Sequence, residues 1–398
     1  MKKVFISILL FYLIVHFIVP GIYFSFVGSY NTYTNIDDKQ AVLQGFILNA
    51  VTILGTIVVV YFLPTKKEKK LIFPKFYNLT PLYYFSIFLF IVFFFLGGGF
   101  EGKITGNSLG SLFNYIAFFF NPFIILLCIL FYQRKPFNII FLCLIYLIYA
   151  TVTGSRSGFI SLFIIFLMYP AFSNYQVYKK SIKKLLIFLL FFTPFLFLAA
   201  TIFIRKSNIQ LDSSFIAKMI MGRLSFLETS MLPIHYKNLD DPLYIFYDKY
   251  GLINQIKLII DSLFPGNFFG NDVMPNQYYR AAFMGYPVPF VISVYTSINI
   301  TLPVYLYMYF GGIVSCLIGI GILVLYYKLI VKSVNNIYLL LPLLASLYHL
   351  LYFFDWVMWF IQFFTFLLTS LAVYAFAITR KSLVEIIKQD PVQLQKEN

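Results

Sequence analysis

Apolar runs long enough to cross a bilayer recur along almost the whole chain, and no other feature restricts the fold so strongly. A spanning helix needs about 20 predominantly apolar residues, fewer where it is tucked among neighbours. Ten runs meet that requirement, at about 4–27, 41–63, 81–98, 109–132, 137–152, 158–173, 185–204, 301–327, 337–354 and 356–379. A soluble fold of 398 residues, 61% of them hydrophobic and 11% charged, has no means of hiding so much apolar surface. The expected fold class is an all-α polytopic membrane protein with about ten transmembrane helices. The first run follows Met1-Lys2-Lys3 in the manner of a signal peptide. It continues to about Phe26 without a small-residue cleavage site, so an uncleaved anchor is expected.

Basic loops set the orientation. Placing both termini and the Lys66–Lys75, Arg134, Lys179–Lys184 and Lys328 loops inside puts 19 basic and 4 acidic residues there, a net +15. The outside segments then hold 11 of each sign, so topology accounts for the whole net charge and no nucleic-acid partner is needed. Outside lie 28–40, 99–108, a notch at Arg156, 205–300 and a turn at Asp355. The chain divides into a membrane bundle of about seven spans (1–204), an extracytoplasmic loop (205–300), about three further spans (301–379) and a cytoplasmic tail (380–398). Within the loop, apolar spacing predicts amphipathic helices over 215–232 and 252–263, the second ended by Pro265-Gly266.

Several chemistries find no support. No phosphate-cradling glycine loop followed by Lys-Ser/Thr is present, so ATP-driven transport is not expected. Cys128, Cys143 and Cys316 all lie inside apolar runs and suggest neither disulfides nor a metal cluster. The pairs Asp37-Asp38 and Asp240-Asp241 point their side chains apart, which suits turns or solvated positions better than a metal site. Histidine spacing gives no metal site either. No cofactor is expected. The many aromatics, 50 Phe and 32 Tyr, follow from the codon usage of an AT-rich genome without any special role.

The informative polar feature is the notch at 153–158, Thr-Gly-Ser-Arg-Ser-Gly, between two short spans. An arginine at a membrane edge must find an anion, a carboxylate or water, and the small residues beside Arg156 leave room for a ligand to approach. Arg156, Arg205, Arg223 and Arg280 are the four arginines placed outside. Guanidinium groups pair with phosphate oxygens and stay charged at any working pH. Other roles remain open: a hairpin cap for Arg156, interfacial snorkelling for Arg205, pairing with Glu228 for Arg223, a surface charge for Arg280. Candidate general bases are Glu228, His235, His349 and Asp355, the last two forming a possible acid/base pair or a hairpin clasp. His16, inside the first span, is expected to be a satisfied core histidine.

Together the hairpin around Arg156, the long outer loop and the stretch from Leu302 to Gly312, where an aromatic-Gly step opens an apolar span, resemble the bacterial oligosaccharide repeat unit polymerases, the O-antigen and capsule polymerase family. The acidic residue usual before that glycine is absent here. The resemblance implies a GT-C-like helical bundle acting on polyprenyl-pyrophosphate-linked oligosaccharide at the outer face of the cytoplasmic membrane. It implies arginines that bind pyrophosphate, a carboxylate or histidine that takes the acceptor proton, and partners such as a chain-length regulator and a flippase. Loop aromatics, among them Tyr278, Tyr279, Phe283, Tyr286 and Tyr295, suit sugar stacking or loop packing equally. An O-antigen ligase shares this chemistry. A lipid-linked oligosaccharide flippase is the rival of a different class, expected to have more spans, two similar halves and charges buried mid-membrane; ten spans, no evident duplication and one large outer loop speak against it. A membrane acyltransferase built on His349 is a further alternative.

Overall fold

The computed structural model describes residues 1–30, 36–64, 79–96, 119–132, 136–152, 217–218, 221–222, 224–239, 252–263, 268–269, 300–352 and 356–393. All regular structure among them is helical. The helices are α1 (Lys2–Leu13), α2 (Val19–Val27), α3 (Lys39–Phe62), α4 (Thr80–Leu96), α5 (Pro122–Tyr132), α6 (Pro136–Val152), α7 (Leu227–Asn238), α8 (Leu252–Leu263), α9 (Leu302–Phe310), α10 (Gly312–Lys332), α11 (Ile337–Tyr352) and α12 (Trp356–Gln393). A π-helical turn, Ile14–Ile18, joins α1 to α2. Among the described residues, four stretches are long and apolar enough to cross a membrane: Lys2–Val27, Lys39–Phe62, Gly312–Lys332 and Trp359–Phe376. The chain is a multi-pass helical membrane protein. The expected spans 158–173 and 185–204 lie outside the described residues, as do Arg156, Arg205, Arg223, Arg280, Asp355 and the loop aromatics.

α3 is the central post, packed against α1, α7, α9 and α10. It is two-faced in the membrane sense. Gly45, Asn49, Thr52 and Thr56 are buried, while Leu43, Ile47, Val51, Leu54 and Val58 are exposed. Small and hydroxylated residues on the inner face let neighbouring backbones come close. A Cβ on Gly45 would sit 2.9 Å from the Ser230 Cβ on α7, and one on Gly319 of α10 would sit 2.9 Å from the Thr52 Cγ2. At one end of the bundle the Lys2 ammonium donates to the Tyr61 and Leu63 carbonyls, closing the last turn of α3. At the other end Asp38 caps its first turn, its Oδ1 accepting from the Gln40 and Ala41 amides. α1 and α2 therefore run antiparallel to α3, from the Lys2 end to the Asp38 end.

Two expected helices are broken, each for a local reason. The run 301–327 is not one helix: α9 stops at Gly311, which takes φ 74° and ψ −179°, and α10 starts immediately after it. That backbone conformation is open almost only to glycine. The expected helix 215–232 is interrupted at Ser225 and Phe226. The Ser225 hydroxyl accepts the Leu227 amide at 3.1 Å and starts α7 afresh. The Phe226 amide donates to the His16 carbonyl at 3.1 Å, away from its own helix.

The consequence is a pair of half-length helices. His16 lies about 16 Å along the helix axis from Val27 and about 21 Å from Lys2, so the 224–226 segment is docked near the middle of the first span. From there α7 climbs past Gly45 to Asp38. α9 packs beside α7 and rises to the same end before α10 turns back. Irregular backbone at such depth is tolerated where protein encloses it, and here the His16 turn does so.

Candidate functional site

Polar side chains gather along α7, at two depths. At the Asp38 end, His235 Nδ1 lies 2.7 Å from Asp38 Oδ2. A carboxylate only accepts, so Nδ1 carries the proton and Nε2 of the neutral ring holds the lone pair. Asp38 thus serves two partners, capping α3 with one oxygen and orienting His235 with the other. The Ala41 amide first, and then the His235 imidazole, hold the Asp38 carboxyl below the usual carboxylate range. The side chains of His235 and Asp38 keep 22% and 26% of their exposure, so the pair remains open to a ligand.

One turn further, Asn238 joins a second rung. Its Nδ2 donates to Gln44 Oε1 at 3.4 Å, Gln44 Nε2 donates to the Tyr307 hydroxyl at 2.8 Å, and that hydroxyl donates back to Asn238 Oδ1 at 3.5 Å. Lys237 points the other way. Its ammonium donates to the Tyr307 carbonyl at 2.6 Å and the Met308 carbonyl at 3.3 Å, and lies 4.4 Å from the Tyr307 ring centre. It caps the last turn of α9, where a cation meets the negative end of the helix dipole. Partial burial holds this ammonium below the usual lysine range.

Nearer mid-depth, α7 buries Glu228 at 1% exposure, together with Thr229 and Ser230, and Ser225 is buried just before it. Glu228 sits in the first turn, where a carboxylate suits the positive end of the helix. His16 is fully buried, with Nδ1 2.5 Å from the Leu224 carbonyl and Nε2 2.5 Å from the Tyr348 hydroxyl. It is the satisfied core histidine expected from the sequence.

The sequence candidates therefore separate. Glu228 and His235 share α7, nearly two turns apart. His349 lies elsewhere, in α11, at 8% exposure; its Nδ1 faces its own helix's Ala345 carbonyl at 3.4 Å and its ring packs 5.5 Å from Phe366. Asp355, the expected partner of His349, and all four arginines fall outside the described residues. Asp37 and Asp38 act as turn and cap residues, Asp37 accepting the Tyr30 amide. Among the described residues no three His, Cys, Asp or Glu side chains converge as a metal site. Sequence reasoning missed Asp38 as the partner of His235, although Asp38 before Lys39-Gln40-Ala41 and an apolar run carries a helix-cap signal. Gln44, Asn238 and Tyr348 carried no signal, and Tyr307 stood out only as part of the Leu302–Gly312 stretch.

The fold defines a class, multi-pass helical membrane proteins with broken helices and buried polar groups. Comparison with protein-family models, curated proteins and solved structures returns no match.

Proposed function

We propose that this protein polymerises polyprenyl-pyrophosphate-linked oligosaccharide repeat units into O-antigen, capsular or exopolysaccharide at the outer face of the bacterial cytoplasmic membrane. In this reading the chain forms about ten spans in a GT-C-like bundle with both termini cytoplasmic, and the Asp38 end faces outward. Glycosyl transfer from a lipid pyrophosphate needs no nucleotide, because the leaving group is already activated. Arg156, Arg205, Arg223 and Arg280 bind the pyrophosphate and offset the charge that develops as it leaves. The observation that carries the reading is α7: a segment of the long loop brings a carboxylate and an imidazole, Glu228 and His235, into the wall of the membrane bundle. A membrane-embedded donor presents its pyrophosphate at that level. A proton acceptor held there suits transfer to a sugar hydroxyl.

A flippase is the second reading, favoured by the burial of Glu228 at the foot of a half-length helix. Carboxylates and interrupted helices inside a membrane mark transport paths as well as active sites. An O-antigen ligase differs from the polymerase mainly in its acceptor.

The deciding experiment replaces Arg156 with Ala and, separately, with Lys in the native host, verifies membrane abundance and resolves the surface polysaccharide on a gel. A polymerase loses the ladder but keeps the single repeat unit in the Ala variant. Loss of every repeat, the single one included, points to a ligase or a flippase. A full ladder in the Ala variant removes Arg156 from the mechanism.

A further inference from the structure

We infer that the Asp38 end of α7 is the acceptor-sugar subsite, in which His235 Nε2 takes the proton of the attacking hydroxyl while Asp38 fixes the imidazole and Gln44, Asn238 and Tyr307 hold the sugar. The inference rests on the polymerase reading and deepens it, choosing one base from several candidates and naming its positioning residue.

Geometry selects His235 over the others. His349 is buried against Phe366, and its Nδ1 faces a carbonyl of its own helix. Glu228 is 1% exposed, too enclosed to meet an incoming sugar without rearrangement. His235 alone among the described candidates combines partial exposure with a ring held by a carboxylate. Asp38 occupies Nδ1, so the basic lone pair lies on Nε2, which has no hydrogen-bond partner among the described residues. A ring held in one tautomer and one orientation by a carboxylate is the arrangement a general base requires.

The neighbouring rung supplies recognition. Gln44 and Asn238 offer amide donors and acceptors, and the Tyr307 hydroxyl links the two. At 3.4 and 3.5 Å two of these hydrogen bonds are long, so a sugar hydroxyl can replace them at little cost. Amide side chains beside an aromatic hydroxyl match a polyhydroxylated ligand. They offer no fixed charge to bind the pyrophosphate of the donor. Lys237, the nearest cation on α7, is committed to the carbonyls that end α9.

In the step itself, the acceptor oxygen bonds to the anomeric carbon of the donor sugar as the bond from that carbon to the pyrophosphate oxygen breaks. The hydroxyl proton passes to His235 Nε2, and polyprenyl pyrophosphate departs with the electron pair. The imidazolium so formed is stabilised by Asp38. Among the described residues, the ionisable groups adjoining the pair along the chain are Asp37 and Lys39 beside Asp38, Tyr236, whose ring lies 5.5 Å from that of His235, and Lys237.

The test uses the full-length protein in nanodiscs, with lipid-linked repeat units extracted from the host as probe. Initial rates of joining two units are followed between about pH 5 and 8, where a histidine titrates. His235→Gln retains a donor to Asp38, and Asp38→Asn retains a helix cap, so both variants preserve the local fold. His235→Gln is expected to lower kcat by about 10²–10⁴ and abolish the acid limb of the profile. Asp38→Asn is expected to lower kcat by at least about tenfold while KM stays within about twofold, since the imidazolium formed in the step loses its carboxylate. Asn238→Ala is expected to raise KM while kcat stays within about twofold. Wild-type kcat in both His235→Gln and Asp38→Asn, with an unchanged acid limb in His235→Gln, overturns the inference. A wild-type protein that joins no units overturns the polymerase reading, and the subsite falls with it.

Discussion

Tyr348 and His16 meet at 2.5 Å between hydroxyl and Nε2, joining α11 to the π turn of the first span. The Leu224 carbonyl at Nδ1 can only accept, so Nδ1 carries the ring proton and Tyr348 must donate to Nε2. One ring thereby ties the first span, α11 and the foot of the α7 segment together. Tyr348→Phe removes that donor and is expected to cost about 1 kcal/mol, the scale of an interhelical hydrogen bond in a membrane. His16→Ala removes both contacts and leaves a cavity, for about 2–4 kcal/mol. Thermal unfolding in detergent should rank His16→Ala below Tyr348→Phe, and Tyr348→Phe below wild type. Equal midpoints for all three would contradict this role for the ring.

Close approach of α7 to α3 depends on Gly45. An alanine there would put its Cβ 2.9 Å from the Ser230 Cβ and 3.3 Å from the Ile234 Cδ1, so α7 must shift. The expected loss is about 1–3 kcal/mol, typical of overpacking. Adding Ser230→Gly removes the clashing Cβ and should restore much of the loss, leaving the ordinary cost of a glycine in a helix. Gly321→Ala serves as the control. Among the described residues nothing lies within 4 Å of its added Cβ, and it should be neutral or slightly stabilising. A double variant no more stable than Gly45→Ala alone would place the strain elsewhere.

Hydropathy located the first two spans, because an unbroken apolar run of bilayer length leaves little choice of structure: the expected 4–27 and 41–63 correspond to Lys2–Val27 and Lys39–Phe62. Breaks within apolar sequence were not legible. The run 301–327 is apolar on both sides of Gly311, and hydropathy does not register a change of φ. The break at Ser225 and Phe226 is made by His16, 208 positions from Leu224, a contact that local spacing does not encode. The same separation hid the site. His235 stood out as a polar residue in the loop, but its partner Asp38 is 197 positions away and already had a sufficient role as a cap.

The turn at Gly311 gives a cleaner test of backbone than of packing. Among the described residues no atom beyond its chain neighbours lies within 4 Å of an added Cβ, so the cost of Gly311→Ala comes from holding a side-chain-bearing residue at φ 74° and ψ −179°. That region is nearly closed to L residues, and the penalty is about 1–3 kcal/mol. The substitution should lower the unfolding midpoint. It should also loosen the Lys237 contact with the end of α9, increasing hydrogen exchange in α9 more than in α10. A wild-type midpoint with unchanged exchange would mean that the chain passes from α9 to α10 by another route.

Asp38 makes acid stability dependent on one side chain. Its carboxyl is held below its ordinary value by the Ala41 amide and by His235, so the unfolded chain binds this proton more readily than the folded one. Stability from Asp38 is therefore fully present above the unfolded value, about pH 4, and is lost as the pH falls through the lower folded value. Asp38→Asn keeps a capping oxygen but cannot titrate. It should be less stable than wild type near neutrality, where the carboxylate that accepts from the Ala41 amide and from His235 is missing. The two proteins should converge below about pH 4, as wild-type Asp38 becomes protonated. Unfolding midpoints measured in one detergent across that range provide the comparison. Parallel curves for the two proteins, with no convergence in acid, would show that the carboxylate contributes no pH-dependent stability to the cap or to His235.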